Sequence, residues 1–305
     1  MPVGQGRKFD FSDKLCYNDK VMPHKIKSEI TDVPFFQPIQ DGPIAIAHQT
    51  NTPPQIESAS ETMARHGLPP YVEIDITTNR DGTPMVFHGA NTPIQKIQRG
   101  LSVPSGPDLR LMSDDDLKRY NLRHPDKPIS TLEEILASFP NVRFVLHLKD
   151  SQPEALAAVL KSTNSWANVC AGAMRGKPLK ELHAVLGEME RKIAMIIALS
   201  DTIFVAPRVG MFKGFYDPET ARQRWEGLGY PTAWNALSQT TTDMVDRAKK
   251  ALSIPLIASH MYTSEPLTPA VADRQYTKGF DGYMGDDVAI IATAAAKKRR
   301  SSRAI

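Results

Sequence analysis

The alternation of short apolar runs with helix-like segments is the feature that most restricts the fold of this chain. It begins at 44–47 and continues to a last apolar run at 281–284. Strands separated by helical segments pair in parallel, because each helix carries the chain back along the sheet. The sequence contains no glycine-rich phosphate loop after a strand, which an open dinucleotide-binding sheet would carry. We therefore predict an α/β fold, and within that class a closed (β/α)8, or TIM, barrel.

Eight segments have the composition of strands, and helical segments lie between most of them. These segments are 44–47, 71–77, 85–87, 142–148, 194–199, 233–236, 254–258 and 281–284. The division that follows is an N-terminal arm at 1–42 packed on the outside of the fold, a catalytic barrel at 43–290 and a basic C-terminal tail at 291–305. A long segment at 89–112 is rich in Gly, Pro, Asn and Ser, and it is interpreted as a surface loop or a lid.

Charge and cysteine content restrict the partners and the compartment. The formal net charge of +3 is too small to indicate a nucleic-acid partner, and the basic run at 297–300 has the composition of a solvated, frayed tail. Cys16 and Cys170 offer neither a disulfide framework nor a zinc spacing. No secretory signal or membrane-spanning run is evident in the sequence. We expect a cytoplasmic protein with a small-molecule substrate; its oligomeric state is not readable.

Ionisable side chains stand at or near the ends of four extended runs. His48 follows the first run, Glu73 and Asp75 lie in the second, and His88 follows the third. The run at 142–148 carries a further histidine close to its end. In a barrel the carboxyl ends of the strands open at one mouth, so we expect these groups to converge there.

The spacing of these residues indicates a metal site. Glu73 and Asp75 are two residues apart on a strand, so their side chains share a face. Two carboxylates side by side in a barrel repel each other unless a cation lies between them, and Mg²⁺ is the usual hard ion. Lys149, two residues after His147, adds positive charge. A metal with two histidines suits attack at phosphorus, one histidine acting as nucleophile or base and the other as acid.

Five motifs together resemble the glycerophosphodiester phosphodiesterase family. They are I-A-H at 46–48 with a glutamate at 57, E-I-D at 73–75, D-G-T-P-M-V-F-H at 81–88, S-T-L-E-E-I-L at 130–136 and F-D-G-Y-M-G-D at 280–286. The resemblance covers about residues 44–288 and is most specific in its first half. It implies a barrel of the phospholipase C-like phosphodiesterase type and cleavage of phosphodiesters.

The resemblance also implies roles for individual residues. His48 and His88 correspond to the catalytic pair, and Glu73 and Asp75 correspond to ligands of a divalent metal. Lys149 corresponds to a residue that steadies the phosphate. Mg²⁺ is the expected ion, with Mn²⁺ and Ca²⁺ as alternatives.

Three positions depart from the family pattern. Gln49 stands where the family has arginine, Gly89 where it has aspartate, and His147 where it has a third metal carboxylate. Imidazole suits Mn²⁺, Zn²⁺ or Fe better than Mg²⁺. Either the metal has changed, or water fills the third position, or the site is weakened. We retain His147 as the third expected ligand and place Gln49 among the candidates for substrate binding.

Two further substrate-binding candidates, His260 and Tyr262, follow a late strand. Two departures, the H-x-x-N of His48 to Asn51 and the His-Gly after the third run, point to a divergent branch. They resemble the sphingomyelinase D and phospholipase D toxins, and the agrocinopine synthases are similar to the same phosphodiesterases.

The expected function is that of a metal-dependent phosphodiester enzyme, either a hydrolase or a transferase or synthase. Such an enzyme would cleave or transfer at a phosphodiester by a two-histidine mechanism. One alternative is an enzyme similar to the agrocinopine synthases that forms a sugar phosphodiester. The other is a non-catalytic barrel that binds a phosphorylated ligand.

Overall fold

The computed structural model describes residues 33–88, 108–150, 152–173, 176–186, 193–200, 203–205, 239–252, 255–260 and 265–303. Ten strands in these ranges form one sheet: β1 (Ile44–Ala47), β2 (Tyr71–Thr78), β3 (Pro84–Val86), β4 (Ser130–Thr131), β5 (Arg143–Leu148), β6 (Val169–Ala173), β7 (Ala194–Ser200), β8 (Ile203–Val205), β9 (Leu256–Ser259) and β10 (Gly282–Gly285).

Helices follow most of the strands. Those in the described ranges are α1 (Pro53–Arg65), α2 (Asp114–Arg123), α3 (Leu132–Ser138), α4 (Pro153–Ser162), α5 (Gly176–Leu186), α6 (Thr242–Leu252), α7 (Pro269–Thr277) and α8 (Val288–Arg303). Short 3-10 helices cover Pro34–Asp41, Leu109–Leu111 and Trp166–Asn168. Within these ranges, no helix combines the length and the apolar character needed to cross a bilayer.

The sheet closes on itself. Its strands follow the order β1, β10, β9, β8, β7, β6, β5, β2, and Ala47 of β1 pairs with Val72 of β2 to complete the ring. Every pairing in the ring is parallel except those of β8, which runs antiparallel to β7 and β9. The predicted TIM-like barrel is confirmed.

The ring differs from the sequence prediction at two strands. β6 was not predicted, because its sequence V-C-A-G-A is short and made mostly of small residues with weak strand preference. β8 follows β7 after only residues 201–202, which are too few for the crossover that a parallel pairing requires. The strand predicted at 233–236 lies outside the described residues.

The extended run before His88 is not a strand of the ring. It forms β3, which pairs antiparallel with β2, and β3 in turn pairs with β4. The turn at 79–83 folds the chain back along β2, so that the N–H of Phe87 donates to the carbonyl of Asp75 at 3.0 Å. His88 therefore returns to the end of β2 by a hairpin rather than by a barrel crossover.

Alternate strand residues fill the interior of the barrel, and its amino-terminal end is closed by the segment before β1. Phe35 and Phe36 are buried there with the inward-facing side chains of the ring. The ring of Phe35 packs edge-to-face on Tyr71, whose hydroxyl donates to the carbonyl of Phe35 at 2.5 Å. For residues 33–42, the prediction of an arm on the outside of the fold is therefore wrong, because these two aromatic side chains belong to the core.

The basic run near the C-terminus lies on the last turns of α8. Arg299 is buried and donates hydrogen bonds to the carbonyls of Pro38, Gly42 and Pro43. Gly42 has φ +124°, and a Cβ there would lie 2.6 Å from Cγ of Arg299. The interpretation of this run as a frayed tail is wrong, because the helix continues to Arg303 and its arginine joins the last element to the first.

We predict that Phe35→Ala lowers the free energy of unfolding by about 3–5 kcal/mol, because a fully buried aromatic ring is lost. Urea denaturation of the full chain measures this change. Leu122→Ala is the control, since Leu122 is 82% exposed and its loss should change stability by no more than about 0.5 kcal/mol. Equal small effects of both variants would contradict a core role for Phe35.

Candidate active site

Inward-facing residues of β2 and β5 form the floor of the barrel mouth. The registers pair Glu73 with Val145 and Asp75 with His147, so both carboxylates and the imidazole point into the ring. Glu73 is 1% exposed and Asp75 is fully buried. The structure thus brings together the carboxylate pair and the third group expected as its neighbour.

These three side chains form a group that could hold a metal ion. One ligand atom from each lies within 4.8 Å of the others. Nδ1 of His147 is 3.2 Å from Oε1 of Glu73 and 3.3 Å from Oδ1 of Asp75. Oδ1 of Asp75 is buried, and the nitrogens beside it are Nδ1 of His147 and Nζ of Lys149. Two carboxylate oxygens and one imidazole nitrogen therefore fit a divalent cation.

The loop after β1 fixes the orientation of both carboxylates. The N–H of Gln49 donates to Oε2 of Glu73 at 2.8 Å. The side-chain amide of Asn51 donates to Oδ2 of Asp75 at 3.1 Å and accepts from the Asp75 N–H at 2.7 Å. Each carboxylate thus has one oxygen bound by the loop, which turns its other oxygen toward His147.

Gln49 adopts a left-handed backbone conformation, with φ +53°. This conformation is uncommon for a residue with a side chain and is frequent at functional sites. Here its consequence is visible, because it aims the Gln49 N–H at Glu73. The Gln49 side chain is half-buried.

Lys149 supplies positive charge to the same group. Its Nζ lies 2.5 Å from Oδ1 of Asp75 and 3.0 Å from Nδ1 of His147. Burial opposes ionisation of Asp75, but the hydrogen bond with His147 and the charge of Lys149 hold the pKa of that carboxyl well below its usual range. Burial also disfavours the charged form of His147, but its bonds to Asp75 and Glu73 raise its pKa.

His48 is held by a carboxylate from the last strand of the ring. Its Nδ1 lies 2.6 Å from Oδ1 of Asp286, which follows β10, and its Nε2 lies 3.9 Å from Oε2 of Glu73. The hydrogen bond with His48 lowers the pKa of Asp286, although partial burial opposes this shift. An ionised Asp286 directs Nε2 of His48 toward the mouth.

His88 lies close enough to the same group for its charges to affect the pKa of the His88 imidazole. Partial burial lowers the pKa of His88; the charges of Asp75 and Glu73 oppose this shift and those of Lys149 and His48 add to it. The structure therefore places both expected catalytic histidines beside the expected metal ligands. Part of the surface of His88 stays accessible to solvent, as a group that meets a substrate requires.

The remaining sequence candidates differ in how much the structure says of them. His260 follows β9 and its Nδ1 lies 2.7 Å from the hydroxyl of Tyr283. Burial lowers the pKa of His260, which the charge of Asp286 opposes. Tyr262 lies outside the described residues. Glu57, part of the motif resemblance, is exposed on α1 and makes no contribution to the group around Asp75.

Two residues of the site were not predicted as site residues. Asn51 and Asp286 each stand inside a motif, H-x-x-N after β1 and the closing G-D after β10. The spacing of neither motif indicates a partner, because Asn51 bonds a residue 24 positions away and Asp286 one 238 positions away. The sequence signal that could have identified both residues is their position just after a strand, since side chains at the carboxyl ends of barrel strands converge.

Comparisons with known proteins bear on the fold. No protein-family model and no curated protein sequence matches the chain. Solved structures do. One from Silicibacter pomeroyi, assigned as a glycerophosphoryl diester phosphodiesterase, has a TM-score of 0.59 at 15% identity, covering 87% of this chain and 98% of that one. A glycerophosphodiester phosphodiesterase from Agrobacterium tumefaciens has a TM-score of 0.55 at 13% identity, covering 82% and 99%.

A third structure is a phosphodiesterase from Oleispira antarctica in complex with its product sn-glycerol-3-phosphate. It has a TM-score of 0.53 at 17% identity, and the match covers 84% of this chain and 97% of that one. The chain shares the fold of these phosphodiesterases. The fold implied by the motifs is thus confirmed. The resemblance to the toxin and synthase branches stays a prediction.

We predict that Asn51→Ala weakens Mn²⁺ binding about 10- to 100-fold, because Asp75 loses the two bonds that orient it. Isothermal titration calorimetry on the full chain measures the dissociation constant, and thermal melting checks the fold. Glu57→Gln, which alters an exposed carboxylate on the adjacent helix, serves as the control and should bind as the wild type does. A Mn²⁺ dissociation constant in Asn51→Ala equal to that of the wild type would contradict a role for Asn51 in orienting a metal ligand.

Proposed function

We propose that this protein is a metal-dependent phosphodiester enzyme that cleaves or transfers at a phosphodiester bond by a two-histidine mechanism. The observation that carries the proposal is the grouping of His48 and His88 with the ligand set of Glu73, Asp75 and His147 at one end of the barrel. One similar structure is named as a glycerophosphodiester phosphodiesterase, and another is a phosphodiesterase bound to its product sn-glycerol-3-phosphate. These two make a small glycerophosphodiester the first substrate to test.

The ligand set would hold the metal, and Lys149 would assist it. A divalent ion held by Glu73, Asp75 and His147 would bind phosphate oxygens and neutralise the charge that develops at phosphorus. Lys149 has a flexible side chain whose ammonium is already at this group, so it is suited to contact a phosphate oxygen as well. Gln49, His260 and Tyr262 stay proposals as substrate-binding residues.

The two histidines have different neighbours at the mouth of the barrel. The pKa of His88 is lowered, so its neutral ring is available to take a proton from the attacking oxygen. Nδ1 of His48 lies 2.6 Å from Oδ1 of Asp286, and its Nε2 lies 3.9 Å from Oε2 of Glu73. An imidazole that a carboxylate orients through one ring nitrogen can transfer a proton through the other. We therefore assign His88 as the base and His48 as the acid that protonates the leaving oxygen.

The acceptor decides among the outcomes. Water gives hydrolysis, a hydroxyl of the substrate gives a cyclic phosphate, and a sugar hydroxyl gives a new diester by the same in-line displacement. The similar solved structures are named as phosphodiesterases, which are hydrolases, and we therefore rank hydrolysis first. Synthesis of a sugar phosphodiester and ligand binding without turnover are the alternatives that the experiment below separates.

Phosphorus NMR tests the proposal directly. The full chain with Mn²⁺ or Mg²⁺ is incubated with glycerophosphodiesters, a lysophospholipid and a sugar phosphodiester, beside His48→Ala. We expect metal-dependent conversion that falls at least about 100-fold in the variant, since general acid catalysis contributes that much. The chemical shift of the product distinguishes a monoester from a cyclic or new diester. No conversion of any diester by folded, metal-binding protein would reject the hydrolase and leave a synthase that uses another donor or the binding barrel.

The pH dependence of turnover tests the assignment of His88. Its pKa lies below the ordinary value of 6.5, so its neutral, active form persists to more acidic pH than that of a free imidazole. Turnover should therefore be lost only as the pH falls through this lowered pKa, with the acid limb of kcat/KM below 6.5. Initial rates between acid and neutral pH measure this limb. A midpoint at or above 6.5 would contradict His88 as the base.

A further inference from the structure

The donor atoms at the mouth of the barrel indicate which class of metal ion the site takes. Two of the three donors are carboxylate oxygens, from Glu73 and Asp75, and the third is Nδ1 of His147. Carboxylate oxygens are suitable ligands for Mg²⁺, Ca²⁺ and Mn²⁺, whereas imidazole nitrogen suits Mn²⁺ and the later transition metals. Because the imidazole is buried between both carboxylates, a metal bound by those oxygens would lie next to its nitrogen.

The loop after β1 limits how many oxygens the site can offer. The Gln49 N–H binds Oε2 of Glu73, and the Asn51 amide binds Oδ2 of Asp75. Each carboxylate is therefore left with one oxygen facing His147. Ca²⁺ takes six to eight oxygens and commonly uses both oxygens of a carboxylate, so this arrangement does not suit it.

The charge of the site also disfavours a metal ion that is bound only by electrostatic attraction to oxygen ligands. The affinity of hard cations rises with the number of charged oxygen ligands. Here Lys149 lies 2.5 Å from Oδ1 of Asp75 and offsets one of the two carboxylate charges. Mg²⁺ and Ca²⁺ lose affinity for that reason, and an ion that gains bonding from the imidazole nitrogen loses less.

We propose that the site selects a first-row transition-metal dication of the Mn²⁺, Co²⁺ or Zn²⁺ kind over Mg²⁺ and Ca²⁺, with His147 as the residue that sets this preference. The inference rests on the proposed function only in taking Glu73, Asp75 and His147 as metal ligands. It replaces the sequence expectation of Mg²⁺ by one derived from the type, number and charge of the donors.

Pulsed electron paramagnetic resonance on the full chain loaded with Mn²⁺ tests the proposal without a functional assay. Coupling of the metal to an imidazole ¹⁴N is expected in the wild type. It should disappear in His147→Glu and persist in His124→Glu, which makes the same change at an exposed histidine. Wild-type protein that binds Mn²⁺ without nitrogen coupling would overturn the proposal, and this result does not depend on the folding of any variant.

Calorimetry then measures the preference itself. Because most sites favour transition metals to some degree, the informative quantity is the change in the ratio of the Mg²⁺ and Mn²⁺ dissociation constants between variants. His147→Glu should lower this ratio about tenfold or more, a change of the size expected when a metal's immediate surroundings are altered. The ratio in His124→Glu should equal that of the wild type. An unchanged ratio in folded His147→Glu would reject His147 as the determinant.

The outcomes separate this proposal from the proposed function. Nitrogen-bound Mn²⁺ without turnover of any phosphodiester would sustain the metal preference and reject the enzyme. Turnover that is fastest with Mg²⁺, in protein without nitrogen coupling, would sustain the enzyme and reject the metal preference.

Discussion

The burial of two carboxylates side by side on β2 is the constraint on which the rest of the site depends. Glu73 and Asp75 are 1% and 0% exposed, and such charges are costly unless each is paired or hydrogen-bonded. Their partners come from other elements: the loop after β1 supplies donors, and β5 supplies the imidazole and the ammonium. The carboxylate pair thereby determines where two neighbouring strands must place polar groups.

The need to pair the two buried carboxylates also explains why Lys149 brings a positive charge to the mouth of the barrel. Lys149 faces the buried carboxylates, and the pKa of Asp75 is held low by its neighbours, so Asp75 stays ionised through the neutral range. A cation at this position therefore meets a carboxylate of Asp75 that does not have to lose a proton first. Water-poor surroundings strengthen those interactions further, because the interior of the barrel is apolar immediately below the group.

The carboxylate pair and the class of fold could be predicted from the sequence, because they follow from the spacing of residues along a strand and from the order of strands and helices. The two-residue spacing of Glu73 and Asp75 places them on one face, and alternation of strands and helices predicts a closed parallel sheet. What escaped prediction depends on contacts between distant residues. Gly172 shows why β6 was missed: its Cβ would lie 2.8 Å from Cγ2 of Ile196 on the neighbouring strand β7, so packing between these strands demands a residue that is unfavourable in a strand. The bond from Asp286 to His48 likewise joins residues 238 positions apart.

The pairing of the first strand, β1, with the last strand, β10, connects the stability of the barrel to the candidate site. These strands pair from Ile44 with Gly282 to Ala47 with Gly285. Arg299 binds the carbonyls before β1 at one end of this seam, and the bond of His48 to Asp286 spans it at the other. The position of His48 relative to Asp286 is therefore fixed only when the first and last strands are paired. The contact that orients the His48 ring is thus made by completion of the fold itself.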